Sequence, residues 1–256
     1  MNRSGQTELS TALDVAAQTP RLLVTSDFDG TLSPIVNNPA DARPLPDAAQ
    51  ALIELAGLPA TSAALISGRA LGDLRTLSAM PSTVNLIGSH GAEFDSGFSN
   101  EIDVELLQTI TDTLTSIASG KPGVTVEAKP ASVALHVRNA SPIDGGQALR
   151  EAQAASGSWS AHATAGKAVL EFAVISTDKG EAIDILRQQY DATAVLFFGD
   201  DVTDEKAFRR LRDADIGVKV GPGDTLANYR VGTPEDVATA LSYLLERRRT
   251  ESDWQG

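Results

Sequence analysis

Short apolar runs of strand composition alternate with helical patterns at both ends of this chain, and that alternation leaves few ways to bury both. Residues 21–26, 62–67 and 84–89 read as strands, with helices over 46–58 and 70–79 between them. The rhythm returns late, as helix 178–190, strand 194–198, helix 203–212, strand 215–220 and helix 234–247. Strands joined through helices run parallel, and the helices cover both faces of the sheet they form. The expectation is an α/β protein with a Rossmann-like parallel-sheet core.

Between the two halves the rhythm changes. Helix 100–119 carries Ile102, Leu106, Ile110, Leu114 and Ile117 on one stripe, and strands 124–129 and 132–138 follow it. Helix 142–155 and strands 158–163 and 167–174 complete an αββαββ segment, expected as an antiparallel sheet under two helices. The predicted organisation is a polar N-terminal segment (1–20), a core from 21–95 and 175–250, an inserted α/β cap domain (96–174) and a tail (251–256). Small and polar residues at 95–97 and 176–177 mark the expected hinges.

Composition limits the partners. The longest uninterrupted apolar run, 194–198, is five residues, whereas a membrane span needs about 20. The first twenty residues lack the apolar stretch of a signal peptide, so a cytoplasmic location is expected, and the absence of cysteine agrees; a monomer is expected besides. Without cysteine there is no thiolate nucleophile or cysteine-bound zinc, which leaves the carboxylates as the reactive groups. The net charge is −13, from 21 Lys+Arg against 34 Asp+Glu, and it repels nucleic acid. The one basic run, Arg247-Arg248-Arg249, is read as the end of a helix, where cations suit the dipole. An anionic substrate would need a local cationic pocket and a divalent cation.

The string Asp27-Phe28-Asp29-Gly30-Thr31-Leu32 directly follows an apolar strand. Strands of a parallel sheet open their carboxyl ends on the ligand crevice, so Asp27 and Asp29 arrive there together. One carboxylate can attack phosphorus, and the other can protonate the leaving alcohol and then activate water. A second acidic string, Gly199-Asp200-Asp201-Val202-Thr203-Asp204-Glu205, also follows an apolar strand. Acids crowded into one crevice require a cation, and hard oxygens without His or Cys suit Mg2+. Ser67-Gly68-Arg69 closes a strand and opens a helix, offering a hydroxyl and backbone amides to an anion. Lys179 opens a later helix and places a cation beside them.

These strings resemble, in order, the four motifs of the haloacid dehalogenase-like superfamily. The resemblance implies Asp27 as nucleophile, Asp29 as acid/base, and Ser67 and Lys179 as the second and third motifs. It implies Mg2+ at Asp27, the backbone of Asp29, and Asp200, with Asp204 in support. An insertion between Ser67 and Lys179 is the arrangement typical of its sugar phosphatases.

Further strings are similar to the trehalose-6-phosphate phosphatases: residues 65–69, 88–93, 129–138, 166–171, 199–205, 218–221 and 227–230. The likeness implies a substrate, trehalose 6-phosphate, contacted by Asp27, Phe28, Asp29, Thr31, Ser67, Gly68, Arg69, His90, Lys129, His136, Glu171 and Lys179. Lys129 and Glu171 are the chief sugar candidates, because hydroxyl-rich ligands need charged groups that make paired hydrogen bonds. Ala173-Val174 depart from the basic residue and proline common at those positions. Competing readings are a phosphatase of sucrose or mannosyl phosphate, a non-catalytic sugar-phosphate sensor, and a receiver domain, the last disfavoured by the size of the insertion.

Overall fold

The computed structural model describes residues 3–166, 168–175 and 177–254. Lys167, at the start of a predicted strand, and Ser176, in a predicted hinge, lie outside the described residues, as do the ends of the N-terminal segment and the tail. In chain order the elements are α1 (Arg3–Ala17), β1 (Leu22–Ser26), α2 (Pro46–Ala56), β2 (Thr61–Ile66), α3 (Leu71–Ser78), β3 (Val84–Ile87) and the short pair β4 (Glu93–Phe94) and β5 (Gly97–Phe98). Then come α4 (Val104–Ala118), β6 (Thr125–Ala128), β7 (Ser132–His136), α5 (Pro142–Ala155), β8 (His162–Gly166) and β9 (Val169–Ala173). The chain ends with α6 (Lys179–Gln189), β10 (Ala194–Gly199), α7 (Asp204–Arg210), β11 (Ile216–Val220), β12 (Tyr229–Val231) and α8 (Pro234–Trp254). Two compact units result, one from residues 1–97 and 177–256, the other from 98–176.

The first unit is built on a six-stranded sheet in the order β12-β11-β10-β1-β2-β3, every pair parallel. Its strands are apolar on both faces because helices cover both. Val24, Leu65, Leu196 and Phe198 pack with Leu13 of α1, Leu52 of α2, Leu74 of α3 and Leu241 of α8. Leu23, Ile66, Val195 and Phe197 face the other way, onto Ile183 and Leu186 of α6 and Phe208 of α7. Burying each such side chain stabilises by about 1.5–3 kcal/mol. Strand order grows outward in both directions from the β1–β10 pair, so the crevice at their carboxyl ends is the topological switch point, where open α/β sheets bind ligands.

The N-terminal segment departs from its expected polar character. It forms α1, whose Leu9, Leu13, Ala16 and Ala17 are buried in the core. The basic run departs as well, since α8 continues past it to Trp254 and each arginine has a separate task. Arg247 pairs with Asp14 of α1 at 2.6 Å, and Arg249 pairs with Glu54 of α2. Arg248 is buried and donates to the carbonyls of Ala17, Thr19 and Ala60 and to Thr61 Oγ1. Protein partners, rather than the helix dipole, account for these charges.

The second unit is an antiparallel sheet in the order β6-β7-β9-β8. On one face Val133, Leu135, Leu170 and Phe172 pack with Ile110 and Leu114 of α4 and Ala148 and Ala152 of α5. The strand expected at 158–163 lies later, at β8. A helical turn, Ser156–Ser158, extends α5, and Trp159 packs edge-on against Phe172 with ring centroids 5.0 Å apart. All of β8 is exposed at the sheet edge, so no alternation in its side chains marks where it begins.

Candidate functional site

β1 and β10 are in register from Leu22–Ala194 to Ser26–Phe198, which brings the residues after each strand side by side. The amide of Asp27 continues the ladder, donating to the carbonyl of Phe198 at 2.8 Å. Asp27 is 5% exposed, Lys179 2% and Asp204 0%. The Lys179 ammonium lies 2.7 Å from Asp27 Oδ1 and 2.7 Å from Asp204 Oδ1, bridging the two. It is carried by the first residue of α6, a helix capped by Asp178, whose side chain accepts from the amide of Glu181.

Asp204 opens α7 and closes its own loop. Its Oδ2 accepts from the amides of Asp200 and Asp201, each at 2.9 Å. Thr31 Oγ1 reaches Asp200 Oδ1 at 3.4 Å. Between them Gly30 turns with φ +84°, and a Cβ there would fall 2.2 Å from Asp200 Oδ2. Both the backbone conformation and the close approach therefore require glycine.

Asp27, Asp200 and Asp204 each offer a carboxylate oxygen, all within 4.8 Å of one another. Burial pushes Asp27 well up from the ordinary carboxylate range, with Lys179 opposing and the Asp204 and Asp200 charges adding. Burial likewise pushes Asp200 up to about 6, helped by the charge of Asp204. Burial works against the charge on Lys179, yet Asp27 and Asp204 together hold its ammonium well above its usual value. The cluster thus carries more negative charge than one lysine offsets, and its donors are all hard oxygens. That donor set fits a divalent cation such as Mg2+. Both oxygens of Asp204 already accept hydrogen bonds, which suits a supporting place better than a primary one.

Asp29 does not join this cluster through its side chain. Its carboxylate takes two hydrogen bonds from Arg69, Nε to Oδ2 and a terminal nitrogen to Oδ1, both 2.6 Å. These bonds, against the cost of burial, hold the Arg69 guanidinium more firmly charged than usual. The guanidinium also lies over the ring of Phe28, 5.7 Å from its centroid. Phe28 and Thr31, expected among the substrate contacts, are fully buried, the ring beneath Arg69 and the hydroxyl beside Asp200.

The second motif packs against a strained loop. Ser67 Oγ accepts from the amide of Arg69 at 3.2 Å, and the Ser67 carbonyl accepts from the amide of His90 at 2.9 Å. Ser89 and His90 both have positive φ, 51° and 56°, which costs non-glycine residues energy. The His90 ring fills the space where Gly68 lacks a Cβ, 2.4 Å from such an atom. Glu93 fastens this loop to the start of α3, its Oε2 accepting from the amide of Leu71 at 2.8 Å and from Ser89 Oγ at 3.1 Å.

The remaining candidates belong to the second unit. Lys129 Nζ and Ser132 Oγ both donate to Glu171 Oε1, at 3.0 and 2.6 Å. His136 Nε2 lies 2.8 Å from Glu127 Oε2 on the adjacent strand. The sequence reading gave no role to Glu93, Glu127 or Lys219, although Glu93 and Lys219 lie within the family-like strings 88–93 and 218–221. A signal existed for Lys219, a lone charge inside the apolar strand 216–220, and in the structure its ammonium donates to the backbone carbonyl of Asp200.

Comparison with known proteins bears on this arrangement. The family model described as trehalose-phosphatase matches residues 25–234, the span from β1 to the start of α8. The trehalose-6-phosphate phosphatase of Escherichia coli K12 is 34% identical over 241 residues, covering 88% of this chain and 90% of that protein. A bifunctional trehalose-6-phosphate synthase/phosphatase of Thermoproteus tenax is also 34% identical, over 243 residues, but this chain spans only 32% of its length. In fold, the C-terminal domain of the Candida albicans trehalose-6-phosphate phosphatase aligns with a TM-score of 0.76, covering 93% of this chain and 97% of that one at 24% identity. The family match contains the Asp27, Ser67, Lys179 and Asp200 segments that the sheet gathers at its switch point, and this chain belongs to the trehalose-phosphatase family.

Proposed function

We propose that the protein hydrolyses trehalose 6-phosphate to trehalose and inorganic phosphate through an aspartyl-phosphate. The observation that carries the proposal is the buried cluster of Asp27, Lys179, Asp204 and Asp200 at the β1–β10 crevice, in a chain of this family. Asp27 attacks phosphorus in line while the bond to the sugar oxygen breaks, and Asp29 gives that oxygen a proton. Water then attacks the phosphorus of the acyl-phosphate, Asp29 takes its proton, and Asp27 is regenerated. Lys179 stands beside the nucleophile to offset the charge that develops on the phosphoryl oxygens. Mg2+ would be held by Asp27 and Asp200 with Asp204 in support, and when bound would supply charge neutralisation for the phosphoryl group.

Asp29 has to leave Arg69 to act as the acid, and this exchange is a further part of the proposal. Ser67 and the Gly68 and Arg69 backbone follow β2, His90 follows β3, and all are assigned to the phosphate. Lys129, Ser132 and Glu171 supply a donor, a hydroxyl and an acceptor within one cluster, and they are assigned to the sugar, with His136 beside them.

Phosphate release from trehalose 6-phosphate, glucose 6-phosphate, sucrose 6-phosphate and an aryl phosphate, each with and without Mg2+, tests the reading. Strong Mg2+-dependent preference for trehalose 6-phosphate is expected, with Asp27→Asn lowering turnover by about 10⁴-fold or more, the scale seen when a covalent nucleophile is removed. Retention of most activity by Asp27→Asn would overturn the mechanism. Activity confined to another sugar phosphate would overturn the substrate.

A further inference from the structure

We infer that Lys219 is a positioning residue for the cation-binding loop, holding the Asp200 peptide where its carboxylate can serve a divalent cation. The inference rests on the proposed reading of the Asp27–Asp200–Asp204 cluster as a cation site. Lys219 sits on β11 directly beside Gly199, its register partner on β10 and the residue before Asp200. All five residues of β11 are buried, and Lys219 itself is 4% exposed between Val218 and Val220.

Taking an ammonium out of water costs several kcal/mol, and an apolar side chain would fill the same space without that cost. What the ammonium does here is donate to the carbonyl of Asp200. The amide of the same residue is held by Asp204 Oδ2 at 2.9 Å, and its side chain by Thr31 Oγ1 at 3.4 Å. Asp200 is thus gripped at amide, carbonyl and carboxylate from α7, β11 and the loop after β1. Lys219 is the grip that comes from the neighbouring strand, outside the acidic loop itself.

Two roles for this lysine predict opposite signs. A cation that only neutralised the cluster would compete with Mg2+, and its removal would tighten metal binding. A positioning group acts like other partners behind metal ligands, whose loss weakens metal binding by about 10–100-fold.

The test is titration of the purified protein with Mg2+ alone, read by calorimetry, beside phosphate-release kinetics at saturating Mg2+. Lys219→Met should weaken Mg2+ binding by about tenfold or more. The substrate KM at saturating Mg2+ should stay within about twofold, because the loss is made up by mass action on the metal. Lys219→Gln, neutral and too short to reach, carries the same comparison should the methionine variant fail to fold. Unchanged or tighter Mg2+ binding in the folded variant overturns the inference. Wild-type protein that binds no Mg2+ and releases no phosphate would instead bring down the reading of the site. Wild-type protein that binds and turns over beside an indistinguishable variant would bring down Lys219 alone.

Discussion

An aspartate in water ionises near pH 4, whereas Asp200 is pushed up to about 6 by burial and then by the charge of Asp204. Between those values the folded chain without metal keeps a proton that the unfolded chain has released. The contribution of Asp200 to stability therefore falls as pH rises from about 4 to about 6, and it stays low above that. A divalent cation needs the ionised carboxylate, so binding must expel the proton. Calorimetric titration with Mg2+ in buffers of different ionisation heat should show more protons released near pH 5 than near pH 8. Equal release at both would contradict the environment described for Asp200. At this scale the sequence was informative about which acids the fold gathers, because Asp27, Asp200 and Asp204 each belong to a string that follows an apolar strand. It was silent on pairings: Asp29 meets Arg69 forty residues on, and nothing local in either string reveals the bond.

Elements differed in how legible they were, and packing explains the difference. Strands β1, β2 and β10 are buried on both faces and read as continuous apolar runs, so their positions were plain. Helix α1 was overlooked because Leu9 and Leu13 are separated by Ser, Thr and Ala, and alanines supply the rest of its buried face. Its docking depends on tertiary partners on α8, which no window of local sequence contains. Arg248 is the strongest of these, four acceptors from the ends of α1 and the start of β2 converging on one guanidinium. Arg248→Met leaves those acceptors without their donor and should lower unfolding stability by about 3 kcal/mol in urea titrations. Phosphate release per folded molecule should be unchanged. A loss below about 0.5 kcal/mol would show that water replaces the guanidinium there.

The whole molecule divides into two units, each with a core of its own. Two helices covering one face of a four-stranded sheet bury Ile110, Leu114, Val133, Leu135, Leu170 and Phe172 without help from the first unit. Residues 98–176 expressed alone should therefore give a cooperative thermal transition with helix and strand signals in circular dichroism. A non-cooperative melt would mean that the second unit borrows stability from the rest of the chain. The first unit has the opposite character, because the strand at its centre comes early while one of its neighbours comes late. Thr25 of β1 donates to the carbonyl of Leu196 on β10, 171 residues on. On the ribosome, β1 can pair with β2, and β2 with β3, soon after they emerge, but the other edge of β1 stays open until synthesis has passed β10. A nascent chain stalled before β10 presents a bare apolar strand edge, the kind that recruits chaperones or a neighbouring copy.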